Sequence, residues 1–134
     1  MSQPKSASPT VVPTWVDSSL LQGMLRGIER ESLRMQSNGF LSQNPHPQAL
    51  GSALTHPRIT TDYSEALMEF ITPPKDSIPA VLEDLKDIHA VVHRHLNPGE
   101  KLWPLSMPCM LDDQEENIPL AYYGTSNIGR FKTL

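Results

Sequence analysis

One cysteine, Cys109, is all the chain has. That excludes an intrachain disulfide and the Cys-rich spacing of a structural zinc site, and it fits a reducing compartment. Basic charge is also short: Lys and Arg number 11 against 15 Asp and Glu, for a formal net charge of −4. Covering a phosphate backbone needs the opposite balance, so nucleic acid is not expected as a partner. Long apolar runs are missing. No stretch approaches the roughly 18 apolar residues of a membrane span, and the N-terminal MSQPKSASPTVVPTW lacks an apolar block behind its one lysine. A soluble, unprocessed, cytoplasmic protein with no membrane partner is expected. Glycine is outnumbered by proline, 7 to 13, and proline resists helix interiors and central strands, which excludes a long coiled coil. The 134 residues suit one domain with a thin core.

Residues 1–14 mix Ser, Pro, Thr and Gln, with little to bury against their ordering entropy, and are expected to be flexible. The folded part is expected over 15–134. Asp17 and the serines after it can cap a helix through Leu20, Leu21, Met24 and Leu25, ended by Gly27. Ile28 to Met35 followed by Asn38-Gly39 predicts a hairpin with a type I′ turn. Pro45, Pro47 and Pro57 bound a loop with a helical turn or two near 48–54. The stretch 59–72 is ambiguous by periodicity, and a strand near 67–72, stopped by Pro73-Pro74, is favoured. Ile78, Val81, Leu82, Leu85, Ile88, Val92 and Leu96 form the apolar stripe of a helix over 78–96 with Pro79 in its first turn. Lys101 to Met107 predicts an edge strand, and 112–117 an acidic loop.

On a strand of period two, Glu29 and Glu31 point to one face and present hard oxygen ligands side by side, as Mg²⁺ requires. A solvated strand face is the plainer reading of the same pattern. Asp62, Glu65 and Glu69 could join the pair from an antiparallel neighbour. His89 and His93 have the i, i+4 spacing of a shared zinc, but Ala90 stands where a metalloprotease helix has Glu, so packed or exposed histidines are expected. Cys109 reads as a buried thiol. Tyr123 to Asn127 offers hydroxyls and amides to a phosphate without the spacing or lysine of a P-loop, and reads as a turn.

The blocks GIERESLRM (27–35), HPQALGSALTH (46–56), ITTDYSEALMEFITP (59–73), WPLSMPC (103–109) and YGTSNIGRFKTL (123–134), in this order, resemble the start of bacterial glutamate–cysteine ligase, or γ-glutamylcysteine synthetase. The resemblance implies an α+β fold, an antiparallel sheet with flanking helices, as part of a glutamine-synthetase-like carboxylate-amine ligase. It implies ATP-dependent joining of L-glutamate to L-cysteine through γ-glutamyl phosphate, the first step of glutathione synthesis, with Mg²⁺ as cofactor and ATP as co-substrate. Position by position, Glu29, Glu31, Asp62 and Glu69 resemble the family's Mg²⁺ carboxylates. Tyr63 falls where a Phe commonly lines the cysteine pocket. Thr125, Ser126 and Asn127 match a family motif with no catalytic role assigned. Members of the family are roughly four times longer, beyond one small domain. The chain therefore resembles an N-terminal piece, expected to be inactive and only partly folded alone because its cut strands leave unpaired edges. A non-catalytic acidic module that binds a cation or a partner is the competing expectation.

Overall fold

The computed structural model describes residue 13 and residues 15–133. The segment 1–14, expected to be flexible, lies outside them except for Pro13. Four strands, β1 (Glu29–Met35), β2 (Ile59–Asp62), β3 (Ser64–Ile71) and β4 (Lys101–Leu102), make one sheet in the order β2-β3-β1-β4. Every pairing is antiparallel. Two helices, α1 (Ile78–His95) and α2 (Asn127–Thr133), accompany it, giving the expected α+β class. No helix among the described residues is long and apolar enough to cross a membrane.

Alternation divides the sheet into two unlike faces. Ala66, Met68 and Phe70 of β3 are buried, as are Ser32 and Arg34 of β1 and Ile59 and Thr61 of β2. Against this side α1 sets Ile88 and Val92, and with Leu50 these form the main core. The stripe on α1 is docked only in part: Val81 is buried, whereas Ile78 and Leu82 stay 61% and 52% exposed. Pro79 occupies the first turn, where its missing N–H costs nothing. Arg94 sits in the last turn, where a cation suits the helix dipole.

Several expectations need correction. The helix expected through Leu25 is one 3₁₀ turn, Ser18–Leu21, whose Asp17 cap accepts a hydrogen bond from the Ser19 N–H at 2.9 Å. Gly23 then takes φ +72°, and Leu20, Leu21, Met24 and Leu25 are all exposed. So short a helix persists only if it can dock an apolar face, and this one does not. The turn at Asn38-Gly39 forms, but Gly39 alone has positive φ, at +89°. The Gly39 N–H donates to Gln36 O and the Gln36 N–H to Phe40 O, the pattern of a tight turn closed by a glycine bulge and not of type I′. Beyond it only an isolated bridge, Met35 to Leu41, continues the hairpin. The strand favoured near 67–72 is the second half of a β2–β3 hairpin that begins at Ile59. Its turn is built on Tyr63 at φ 52°, a conformation that tyrosine rarely signals. The strand expected over 101–107 stops at Leu102, and one further hydrogen bond, Trp103 N–H to Leu33 O, precedes Pro104.

Candidate functional site

The outward face of the sheet carries the acidic residues. Register sets Glu31 directly opposite Glu69 and Glu29 opposite Ile71, while Thr60 of β2 lies across from Glu69. Past an irregularity between Thr60 and Asp62, Asp62 completes the group. Burial, then the charges of Glu29, Asp62 and Glu31, hold the Glu69 carboxyl above the ordinary glutamate value, with Lys132 pulling it back. Glu69 thus feels the other three carboxylates electrostatically. A like-charged pair directly across two strands is destabilising. Among the described residues none of the four accepts a hydrogen bond or joins an ion pair, nor do three His, Cys, Asp or Glu converge as a closed metal cage.

Beside this face, a cleft of about 420 Å³ is lined by Asp62, Tyr63, Leu120, Ala121, Tyr123, Lys132 and Thr133. Tyr63 is 83% exposed at its rim. The far wall is an irregular strap, residues 119–123, which bridges to β3 at Ser64 through Leu120. α2 rests on the end of the strap. A Cβ at Gly129 would collide with the Tyr123 and Gly124 carbonyl oxygens, so glycine is what permits the approach. Ser126 Oγ accepts from the Gly129 N–H at 3.1 Å, which gives that hydroxyl a local capping role. The approach sets the Lys132 ammonium 4.6 Å from the centre of the Tyr123 ring, a cation–π arrangement. Burial, then Asp62, Glu69 and Glu65, push the Tyr123 phenol up. A second cleft, also about 420 Å³, is lined by Glu31, Leu33, Leu67 and the loop 105–108.

Other candidates resolve differently. Glu65 is buried and faces two backbone N–H groups, those of His46 and Tyr122, each at 2.7 Å. His89 packs edge-on against Phe70 at 4.9 Å between centroids, and burial, then Arg30 and His93, lower its pKa. The His93 ring lies 6.2 Å away and tilted, with His93 itself exposed, so only His89 of the pair packs against the sheet. Cys109 is buried, as expected from the sequence, and burial pushes its thiol up, which disfavours the thiolate. Tyr123, read from the sequence as part of a turn, lines the cleft, and Lys132 escapes sequence reasoning, since nothing local in 123–134 marks a lysine that folds back over a tyrosine nine positions earlier.

The glutamate-cysteine ligase family model matches residues 12–134. The glutamate–cysteine ligase of Shewanella oneidensis is 60% identical over 114 residues, 85% of this chain and 21% of that protein. That of Baumannia cicadellinicola is 51% identical over 131 residues, 98% of this chain and 25% of its own length. Among solved structures, glutamate–cysteine ligase from Francisella tularensis in complex with AMP superposes with a TM-score of 0.77 at 41% identity, over 81% of this chain and 22% of that one. A bifunctional glutathione synthetase from Pasteurella multocida superposes at 0.67 with 40% identity, over 71% and 13%. The chain therefore spans a fifth to a quarter of the length of the curated relatives it matches. On a match that runs through every described strand and helix, the chain belongs to the glutamate–cysteine ligase family.

Proposed function

We propose that this chain is the N-terminal part of a longer ligase that joins the γ-carboxylate of L-glutamate to the amine of L-cysteine, driven by ATP. A carboxylate does not acylate an amine unaided. Its oxygen first attacks the γ-phosphorus of ATP, releasing ADP and leaving γ-glutamyl phosphate. The cysteine amine then adds to the acyl carbon, phosphate departs with the C–O electron pair, and the amine loses a proton.

The observation that carries this reading is the opposed Glu31 and Glu69 with Glu29 and Asp62 beside them. Four carboxylates gathered on one face with no hydrogen-bond donor among the described residues fit Mg²⁺, which keeps several waters and takes only one or two carboxylates per ion, so a closed protein cage is not needed. Glu29, Glu31, Asp62 and Glu69 would hold it. When bound, Mg²⁺ neutralises phosphate charge and orients the phosphoryl group. Tyr63 supplies an aromatic wall for cysteine, with a hydroxyl added, and the cleft it rims leaves room for a small amino acid. The AMP in the Francisella tularensis relative supports a nucleotide as co-substrate. The chain's acidic balance and the lack of a membrane-length helix among its described residues agree with a cytoplasmic enzyme acting on small molecules.

In the full-length enzyme, Glu29→Ala is expected to lower ligation by about a hundredfold or more, because metal assistance is worth several kcal/mol, with the circular-dichroism spectrum unchanged. Wild-type turnover would sink the assignment. Mg²⁺ binding by the isolated chain that ignores ATP and both amino acids would favour a cation-binding module instead.

A further inference from the structure

Glu65 lies outside the set of carboxylates just described, yet it is only 8% exposed. A carboxylate withdrawn from water is costly unless its oxygens are engaged. Here one oxygen accepts the His46 backbone N–H and the other that of Tyr122, both at 2.7 Å, and such charge-assisted bonds are about twice as strong as neutral ones. Its own N–H donates to Pro119 O at 2.8 Å, and its carbonyl accepts from the buried Arg34 guanidinium at 2.8 Å. The strap is tied at two further points. The Ala121 N–H donates to Tyr63 O at 2.9 Å, and the Tyr123 hydroxyl donates to Thr61 O at 2.6 Å. Four of these bonds, those made by Pro119, Ala121, Tyr122 and Tyr123, join residues 119–123 to the β2–β3 hairpin whose turn is Asp62-Tyr63, while the His46 and Arg34 bonds hold Glu65 from its other side. Between hairpin and strap lies the cleft of about 420 Å³, near the lower end of small-ligand sites, roughly 300–1,000 Å³. Asp62 and Lys132 give its walls opposite charges, which suits a zwitterion of amino-acid size.

We propose that Glu65 is a positioning residue: by clamping the strap 119–123 to the β2–β3 turn it sets the shape of the cleft that receives cysteine. This rests on the ligase reading above. The carboxylate is required because both acceptors are used; a glutamine would turn an N–H₂ toward one of the two backbone donors and leave it unpaired.

The test is steady-state kinetics of the full-length enzyme with each substrate varied in turn. Glu65→Gln is expected to raise the KM for cysteine roughly tenfold and to lower kcat by less, with the KM values for ATP and glutamate within about twofold. Tyr123→Phe keeps the ring and removes only the tie to Thr61, so a smaller shift in the same direction is expected, and the double variant should fall short of the product of the two. Should Glu65→Gln fail to fold, Tyr123→Phe decides alone. A uniform rise in all three KM values, a loss of kcat only, or unchanged kinetics in folded variants overturns the clamp. An inactive wild-type enzyme would instead overturn the ligase reading itself.

Discussion

Glu100 and the four carboxylates of the open face are attached to the same small sheet under opposite conditions. Glu100 is buried against Arg34, at 2.8 Å, and it also accepts hydrogen bonds from Ser42, from the Asn44 amide at 3.0 Å, and from the Asn97 backbone and side chain, each at 3.0 Å. Burial by itself would push its carboxyl up, but Ser42, Asn44, Arg34 and the Asn97 N–H together hold it below the ordinary value. Glu29, Glu31, Asp62 and Glu69 have no such partners among the described residues, and Glu69 is shifted the other way. Where a charge serves the fold, the chain surrounds it with donors. Where it is left facing its like, no donor closes around it among the described residues, and the two carboxyls are shifted in opposite directions.

The contrast breaks most severely at Glu100. Glu100→Leu leaves the Arg34 guanidinium, 0% exposed, without its counter-ion, and about 3–5 kcal/mol of stability is expected to go, read from denaturant unfolding of the full-length enzyme; a loss below about 1 kcal/mol would show that the pair is solvated. Glu69→Gln acts in the opposite direction. Without divalent metal it removes a repulsive charge and should raise the melting temperature, while the rise that Mg²⁺ gives the wild type should shrink; equal Mg²⁺ responses would separate Glu69 from the metal. Acidity gives the smallest effect and tests both groups at once. A carboxyl raised in the folded state binds its proton more tightly there, so metal-free wild type should gain stability as pH falls through the raised Glu69 value. Glu100, lowered in the folded state, contributes stability that is fully present above the unfolded value and is lost only as pH falls further, through its own lowered value. A shallow maximum on the acid side of neutrality is expected in melting curves, flattened in Glu69→Gln.

Local pattern made some of this readable in advance and left the rest hidden. The shared face of Glu29 and Glu31 follows from a period of two, and α1 from its stripe and Pro79. The opposition of Glu31 to Glu69 needs a register between strands 38 positions apart: the residues alone allow an antiparallel neighbour to bring Asp62, Glu65 or Glu69 beside the pair, and the resemblance to a family narrows the set to Asp62 and Glu69. The burial of Arg34 has no local mark in the sequence, because its partner Glu100 is 66 residues away. Glu65 was counted with the other acids, since the backbone N–H groups that claim it carry no side-chain signature. The helix through Leu25 was overread because spacing predicts an apolar face but not whether a surface exists to receive it. Tyr63 concealed a hairpin by holding a backbone shape usually announced by glycine or asparagine.

The alternation of β1 and β3 has a further consequence, for how the gene can change. Core and acidic face are interleaved on the same strands, odd positions of β1 bearing Glu29 and Glu31 and even ones Ser32 and Arg34. A one-residue insertion or deletion inside either strand would exchange the two sets beyond the point of change, sending carboxylates inward and core residues such as Arg34 or Phe70 outward. Point substitutions can be absorbed one at a time, but length changes cannot. Lineages descending from this sequence are therefore expected to vary in length only in turns and loops such as 36–39 and 112–117, and to hold 29–35 and 64–71 at constant length.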